Sequence, residues 1–262
     1  MTLLDARART GAVARINPVA KLAASGLIAV PLVLTLDWLS AAVAFALECL
    51  LFAFAGLGWR EFWLRTLPVW FAAPLAALTI ALYGEASGQV YVEWFVVRIS
   101  EGSLALAVAT FFRVLAVALP SVVLFVTVDP TDLADGLAQI ARLPARFVLG
   151  ALAGLRMVGL FLDDWRALEL ARRARGVADR GRIRRFLGMA FALLVLSIRR
   201  GSKLATAMEA RGFGAPVRRT WARESTFGVR EWLLVAIGAA ISALAVSAAV
   251  AAGTWNFILG PS

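Results

Sequence analysis

Apolar residues run almost unbroken through residues 19–36, 38–57, 67–83, 102–128 and 232–252. Each run is near the length of about 20 residues that crosses a hydrocarbon core as a helix at 1.5 Å per residue. Little more than Asp37 separates the first two runs, which predicts a tight helical hairpin. Pro31, Pro68, Pro74 and Pro120 lie inside the runs and predict bent spans, since neighbouring helices or water can satisfy the carbonyls that a proline frees. Two weaker apolar stretches follow the fourth run. Residues 147–162 are interrupted by Arg156, and residues 186–198 number only 13, so both fall short of a clear crossing. The pattern predicts an all-α polytopic membrane protein with about five transmembrane helices. Four spans lie within 1–128, a polar-rich region occupies 129–230, and a last span lies within 231–262.

Charge orients these spans. Residues 129–230 carry 19 Lys and Arg against 9 Asp and Glu, whereas the rest of the chain is balanced, so the whole net charge of +10 sits in that region. With a cytoplasmic N-terminus, the inside segments hold Arg7, Arg9, Arg15, Lys21, Arg60, Arg65 and the basic region, while the outside segments hold only Arg98. That matches the positive-inside bias and puts the C-terminus outside. Crossing by both weaker stretches would place the Arg166–Arg185 basic block outside. They are therefore expected to be long helices on or just under the cytoplasmic face, apolar on one side. The first 21 residues are polar and basic, unlike a cleaved signal, so the first span is expected in the mature protein. Cys49 is the single cysteine and histidine is absent, which excludes an intrachain disulfide, histidine metal sites, haem ligation by histidine and His-activated nucleophiles.

Within 129–230 the local signals predict three helices. Asp129-Pro130-Thr131-Asp132 combines a cap, a proline suited to the first turn and acids near the positive helix end, so a short helix should run over 131–142. Pro144 breaks it and opens a second helix over 145–175, which Gly176 ends. A third should run over 183–211, stopped by Gly212, Gly214 and Pro216.

Both long helices end on the same tripeptide, Ala174-Arg175-Gly176 and Ala210-Arg211-Gly212. One copy is ordinary punctuation, an arginine against the negative helix end and a glycine for the left-handed cap. Two copies 36 residues apart, each closing a long helix of one basic block, predict more. Alanine keeps each end slim, glycine turns the backbone away, and a guanidinium can fork onto a carboxylate, so the pair looks like two plugs for an acidic partner.

At these residues the chain resembles the transmembrane (T) component of energy-coupling factor transporters, ABC-type importers of vitamins and metal ions. Asn17-Pro18-Val19-Ala20-Lys21-Leu22 resembles that family's lead-in to its first span. Thr131 to Leu137, followed by Leu143-Pro144-Ala145-Arg146-Phe147, resembles its first coupling helix and the start of its second. Glu169 to Gly176 and Glu209 to Gly214 resemble its two signature Ala-Arg-Gly motifs. The resemblance implies that the chain is not an enzyme but a scaffold in the cell inner membrane. It would join two ABC ATPase subunits, which carry ATP and Mg, to a small membrane substrate-binding S component. Two long coupling helices would cross in an X, and Ala174, Arg175, Gly176, Ala210, Arg211 and Gly212 would dock on the ATPases. The implied partners are those subunits and membrane lipids, with no nucleic acid and no cofactor or metal in this chain.

Other residues add less. No Gly-x-x-x-x-Gly-Lys-Ser/Thr loop is present, so ATP is not expected to bind this chain through a P-loop. Gly150, Ala151 and Gly154, with Ala153 and Gly159, smooth one face of the second long helix, either for the S component or for mutual packing of the two coupling helices. Asp163-Asp164 reads as a solvated or salt-bridged face rather than a metal pair, because adjacent helical residues diverge by about 100°. Glu48 is either a proton or ion site or a protein contact. Arg113 is expected near the outer third of the fourth span, snorkelling to the interface without a role. Residues 179–185 suit anionic lipid headgroups. The alternative, a self-contained secondary transporter or channel, needs polar groups near the midplane of several spans, where the spans offer only Glu48 and Arg113 among charges. A membrane enzyme of lipid chemistry would need acid-rich motifs, and only Asp163-Asp164 is present. Absent histidine and a poor match to the N-terminus of cobalt and nickel systems lean the substrate toward vitamins.

Overall fold

The computed structural model describes residues 13–35, 37–52, 59–84, 87–94, 97–125, 127–176, 181–215 and 220–255. After a 3-10 turn at Val13–Arg15, the helices are α1 (Pro18–Leu34), α2 (Trp38–Phe52), α3 (Trp59–Tyr83), α4 (Glu101–Phe125), α5 (Pro130–Gln139), α6 (Ala145–Ala174), α7 (Arg182–Ala210) and α8 (Val229–Ala251). Between α3 and α4 lies an antiparallel pair, β1 (Val90–Trp94) and β2 (Val97–Ser100), with a register irregularity between Val90 and Val92. The chain is an all-α polytopic membrane protein with this one small hairpin added. The hairpin was legible as β-branched and aromatic residues in Val-Tyr-Val-Glu-Trp, which the span-length reading passes over.

Two compact units divide the described chain: Met1–Gly136 with Ser225–Ser262, and Leu137–Glu224. In the first, α4 packs against α1, α2 and α3, and α8 against α1 and α2. The core is built from small and branched residues. Ile28, Leu32, Ala41, Ala44, Ala116, Ile241 and Ala245 form one buried cluster, and Val69, Ala73, Leu115 and Leu119 a second. Small residues let membrane helices approach closely, and here the approach is tightest at Gly238 of α8. A methyl there would sit 2.9 Å from the Ala24 carbonyl oxygen and 3.0 Å from Ala24 Cα.

The starts of α1 and α8 are tied by Asn17. Its side-chain oxygen accepts from the Val19 N–H at 3.0 Å, capping α1. Its amide donates to Ser225 Oγ at 2.8 Å and to the Thr226 carbonyl at 3.0 Å. Its backbone N–H donates to Glu231 Oε1 at 3.2 Å, while Glu231 Oε2 accepts from the Gly228 N–H at 2.9 Å, the capping box of α8. Gly136 of α5 lies so close that a methyl would come within 3.0 Å of Asn17 Oδ1. Beside this knot Lys21, fully buried, donates to Thr127 Oγ1 at 2.7 Å.

The α1–α2 hairpin is shorter than a full crossing. The helices number 17 and 15 residues, about 25 and 22 Å at 1.5 Å per residue. Lys21 meets Thr127 at one end, and 14 residues along each helix Arg113 of α4 donates to the Thr35 carbonyl. Arg113 therefore sits in the middle of α4 and turns inward, where a snorkelling position in the outer third was expected. The reason is the short hairpin, whose turn is buried beside α4: Thr35 and Asp37 are 1% and 5% exposed, and the last carbonyls of α1 need a donor there. Asp37 also holds Ser40, accepting from its N–H at 2.7 Å and its hydroxyl at 2.8 Å.

In the second unit, α6 and α7 occupy the predicted ranges to within a residue at each end. The short helix stops three residues before the predicted end. Arg142 takes a left-handed φ of 53°, and the Leu143 N–H returns to the Leu137 carbonyl, so the chain turns before Pro144. By length and composition α3, α4, α6 and α8 are each long and apolar enough to cross a membrane, which for α6 departs from the expectation that residues 147–162 fall short, because the helix is an unbroken 30 residues and Arg156 is tolerated within its apolar window.

Gly238→Ala should destabilise the protein by about 1–3 kcal/mol through overpacking, lowering the apparent melting temperature in fluorescence-detected size-exclusion chromatography. Gly26→Ala, where a methyl meets nothing within 4 Å, should leave it unchanged. Arg113→Leu should lower it as well, by the roughly 1–3 kcal/mol of a buried polar group left unpaired, and Arg113→Lys should recover part of the loss.

Candidate functional site

The two Ala-Arg-Gly ends adopt the same geometry. At the first, Arg175 caps α6 with φ −87° and ψ 4°, its N–H reaching the Ala171 carbonyl at 3.2 Å. Gly176 follows at φ 66°, its N–H on the Arg173 carbonyl at 3.0 Å. At the second, Arg211 caps α7 with φ −92° and ψ 12°, and Gly212 follows at φ 75° with its N–H on Glu209 at 2.9 Å. The Phe213 N–H then closes onto Met208 at 2.9 Å, which completes a Schellman motif. A methyl on Gly176 or Gly212 would meet nothing within 4 Å, so the backbone angle alone calls for glycine at both.

Helix punctuation explains the glycines but leaves the arginines over. Ala174, Arg175, Ala210 and Arg211 are all exposed, and neither guanidinium makes a hydrogen bond or ion pair among the described residues. The arginines nearby are engaged. Arg200 donates to Asp164 at 2.7 Å, and Arg185 donates to Glu169 at 2.5 Å, a carboxylate that also accepts from Arg173 at 3.0 Å. Trp165 stacks against Phe186 with centroids 5.6 Å apart. These contacts join α6 to α7 within Asp164–Arg173 and Arg185–Arg200, and they leave both tripeptides outside the clamp.

Next to the second tripeptide, a groove of about 500 Å3 opens between α6 and α7. Leu152, Ala153 and Met157 line one side, Leu204 and Met208 the other, and Arg156, Arg200, Arg211 and Phe213 supply its polar and aromatic rim. Arg156, legible in sequence only as an interruption of an apolar stretch, thus belongs with Arg211. Gly150, Ala151 and Gly154 are exposed on α6, and a methyl on Gly150 or Gly154 would meet nothing within 4 Å. Mutual packing of the two long helices therefore does not involve Gly150 or Gly154, while Ala153 faces the groove.

Asp163 and Asp164 diverge as the helical geometry required. Asp163 pairs with Arg166 at 3.6 Å and Asp164 with Arg200, giving a salt-bridged face. Of the basic tail at 179–185, residues 179 and 180 lie outside the described residues, and Arg185 is committed to Glu169. Glu48 is buried with neither oxygen partnered among the described residues, against an apolar cavity of the first unit.

Comparison with known proteins gives a consistent set. The family model described as CbiQ, cobalt transport protein, matches residues 11–221. The chain is 26% identical over 197 residues to the energy-coupling factor transporter transmembrane protein of Limosilactobacillus fermentum, covering 71% of this chain and 73% of that one. It is 32% identical over 168 residues to the protein of that name in Lactococcus lactis, covering 59% and 62%. With the Listeria innocua protein of the same name the figures are 27% over 218 residues, 79% and 82%.

Gly176→Ala and Gly212→Ala should each cost about 1 kcal/mol, the penalty of a side chain in the left-handed region. Amide hydrogen exchange should show faster opening of the last turn of α6 or α7, with the rest of each helix unchanged.

Proposed function

The chain belongs to the CbiQ family of cobalt transport proteins and is the transmembrane T component of an energy-coupling factor transporter, and on that basis we propose that Arg175 and Arg211 couple it to two ABC ATPase subunits. The carrying observation is the matched pair of capped helix ends with exposed, unengaged guanidinium groups. An arginine on a rigid helix end loses little conformational entropy on docking and forks onto a carboxylate in a groove. In this reading Ala174 and Ala210 clear the groove wall, Gly176 and Gly212 turn the chain away, and the clamped α6–α7 pair carries the motion of the ATPases. ATP and Mg would reside in those subunits.

The N-terminus and the basic Leu137–Glu224 unit would face the cytoplasm, where the ATPases are, and the C-terminus the outside. The second contact would be with a small membrane S component that holds the cargo, a vitamin or a transition-metal ion. The open face at Gly150, Ala151 and Gly154 suits close approach of its helices, since no side chain stands in the way. Motion of α6 and α7 would then tilt the S component between loading and release.

The double variant Arg175→Ala, Arg211→Ala should abolish ATP-driven uptake at wild-type expression and membrane insertion. Truncating a buried, paired charge costs an association about 2–5 kcal/mol, mostly through the partner left unpaired. Copurification in mild detergent is the direct check: wild type should bring down two ATPase subunits and a small membrane protein, and the double variant should lose the ATPases. Normal uptake by the double variant, or a chain that purifies without partners, would replace this reading with that of a self-contained transporter.

A further inference from the structure

Glu48 of α2 is 2% exposed, and both carboxylate oxygens lack a hydrogen-bond partner among the described residues. It stands in the wall of a cavity of about 210 Å3 bounded by α1, α2, α4 and α8. Arg230, in the first turn of α8 and exposed, is the other charged residue of that wall, and the remaining lining is carbon, including Leu51, Phe52, Leu233 and Ile237. A carboxyl shut away from water without a donor is strongly unfavourable, so the site is incomplete as the described residues build it. Nothing in the coupling role uses it.

The charges specify what completes it. An acid inside, a guanidinium at the rim and apolar walls between them call for an amphiphile whose head carries a hydrogen-bond-donating cation close to an anion. We infer that the cavity is a binding site for a phospholipid with a primary-amine headgroup, its ammonium donating to Glu48 and its phosphate held by Arg230. The acyl chains leave along α8, where Trp232 and Leu233 are 65% and 61% exposed. A headgroup bearing a trimethylated nitrogen has no N–H to give Glu48, and a glycerol headgroup has no cation, so the site selects among phospholipids.

Native mass spectrometry of the purified full chain, titrated with dioleoyl phosphatidylethanolamine, phosphatidylcholine or phosphatidylglycerol, tests this. Wild type should hold the ethanolamine lipid about tenfold more tightly than the other two, the size of a charge-assisted hydrogen bond gained. Glu48→Gln should erase that preference, and Arg230→Gln should weaken all three lipids while keeping it. Equal binding of the three lipids by wild type would overturn the proposal without recourse to any variant, as would an unchanged preference in Glu48→Gln. No ATPase takes part in the measurement, so failure here leaves the coupling role standing.

Discussion

Asn17 fixes the first unit by making one short side chain serve two helices. Its oxygen caps α1, its amide holds the strand leading into α8, and its backbone N–H shares Glu231 with the cap of α8. Pro18, next in sequence, sits at the first helical position, where its missing N–H costs nothing. The two ends of the described chain are thus joined where α1 and α8 begin, and their close packing at Gly238 and Ala24 follows from that shared start. Gly136, near the end of α5, approaches the same point closely enough that only a glycine fits there without a shift.

The interior of the first unit is unusually rich in polar groups for its apolar spans, and each has a definite place. Lys21 ends on Thr127, Arg113 on the C-terminal carbonyl of α1, and Asp37 on Ser40. These are the contacts that let a hairpin of 17 and 15 residues stop beside α4 without leaving carbonyls stranded. Glu48 departs furthest from that pattern, with neither carboxylate oxygen partnered among the described residues, where Trp70 and Arg113 each leave one nitrogen over, and the proposed lipid site rests on that departure.

The second unit obeys a different logic. Its two long helices are held by ion pairs and one aromatic contact along part of their length, and they expose large apolar residues such as Phe147, Leu155, Phe191 and Ile198. Such a surface is built to be covered by lipid or by other subunits. The contacts lie within Asp164–Arg173 of α6 and Arg185–Arg200 of α7, and the arginine ends beyond them stay available for the proposed docking.

The ranges of α6 and α7 were legible in sequence because Pro144 and the capping glycines act locally, whereas α2 ends five residues before its apolar run does and α3 begins at Trp59, eight residues ahead of its run. Adjacent acids on a helix also had to diverge, as Asp163 and Asp164 do. Positions that depend on distant partners were not legible. The inward partner of Arg113, the Thr35 carbonyl, was missed because it belongs to another hairpin, and Asn17 gave no hint of Glu231, 214 residues away. The early end of α5 turned on the left-handed Arg142, while the β hairpin carried a local signal in Val-Tyr-Val-Glu-Trp that a reading tuned to spans passes over. The sequence by itself determined what each segment is, since helix length, caps and turns are settled by neighbours along the chain. Only the tertiary structure decided which polar groups meet, because burial and pairing depend on residues brought together by packing, and it alone showed Arg113 reaching the Thr35 carbonyl while both Glu48 oxygens stay unpartnered among the described residues.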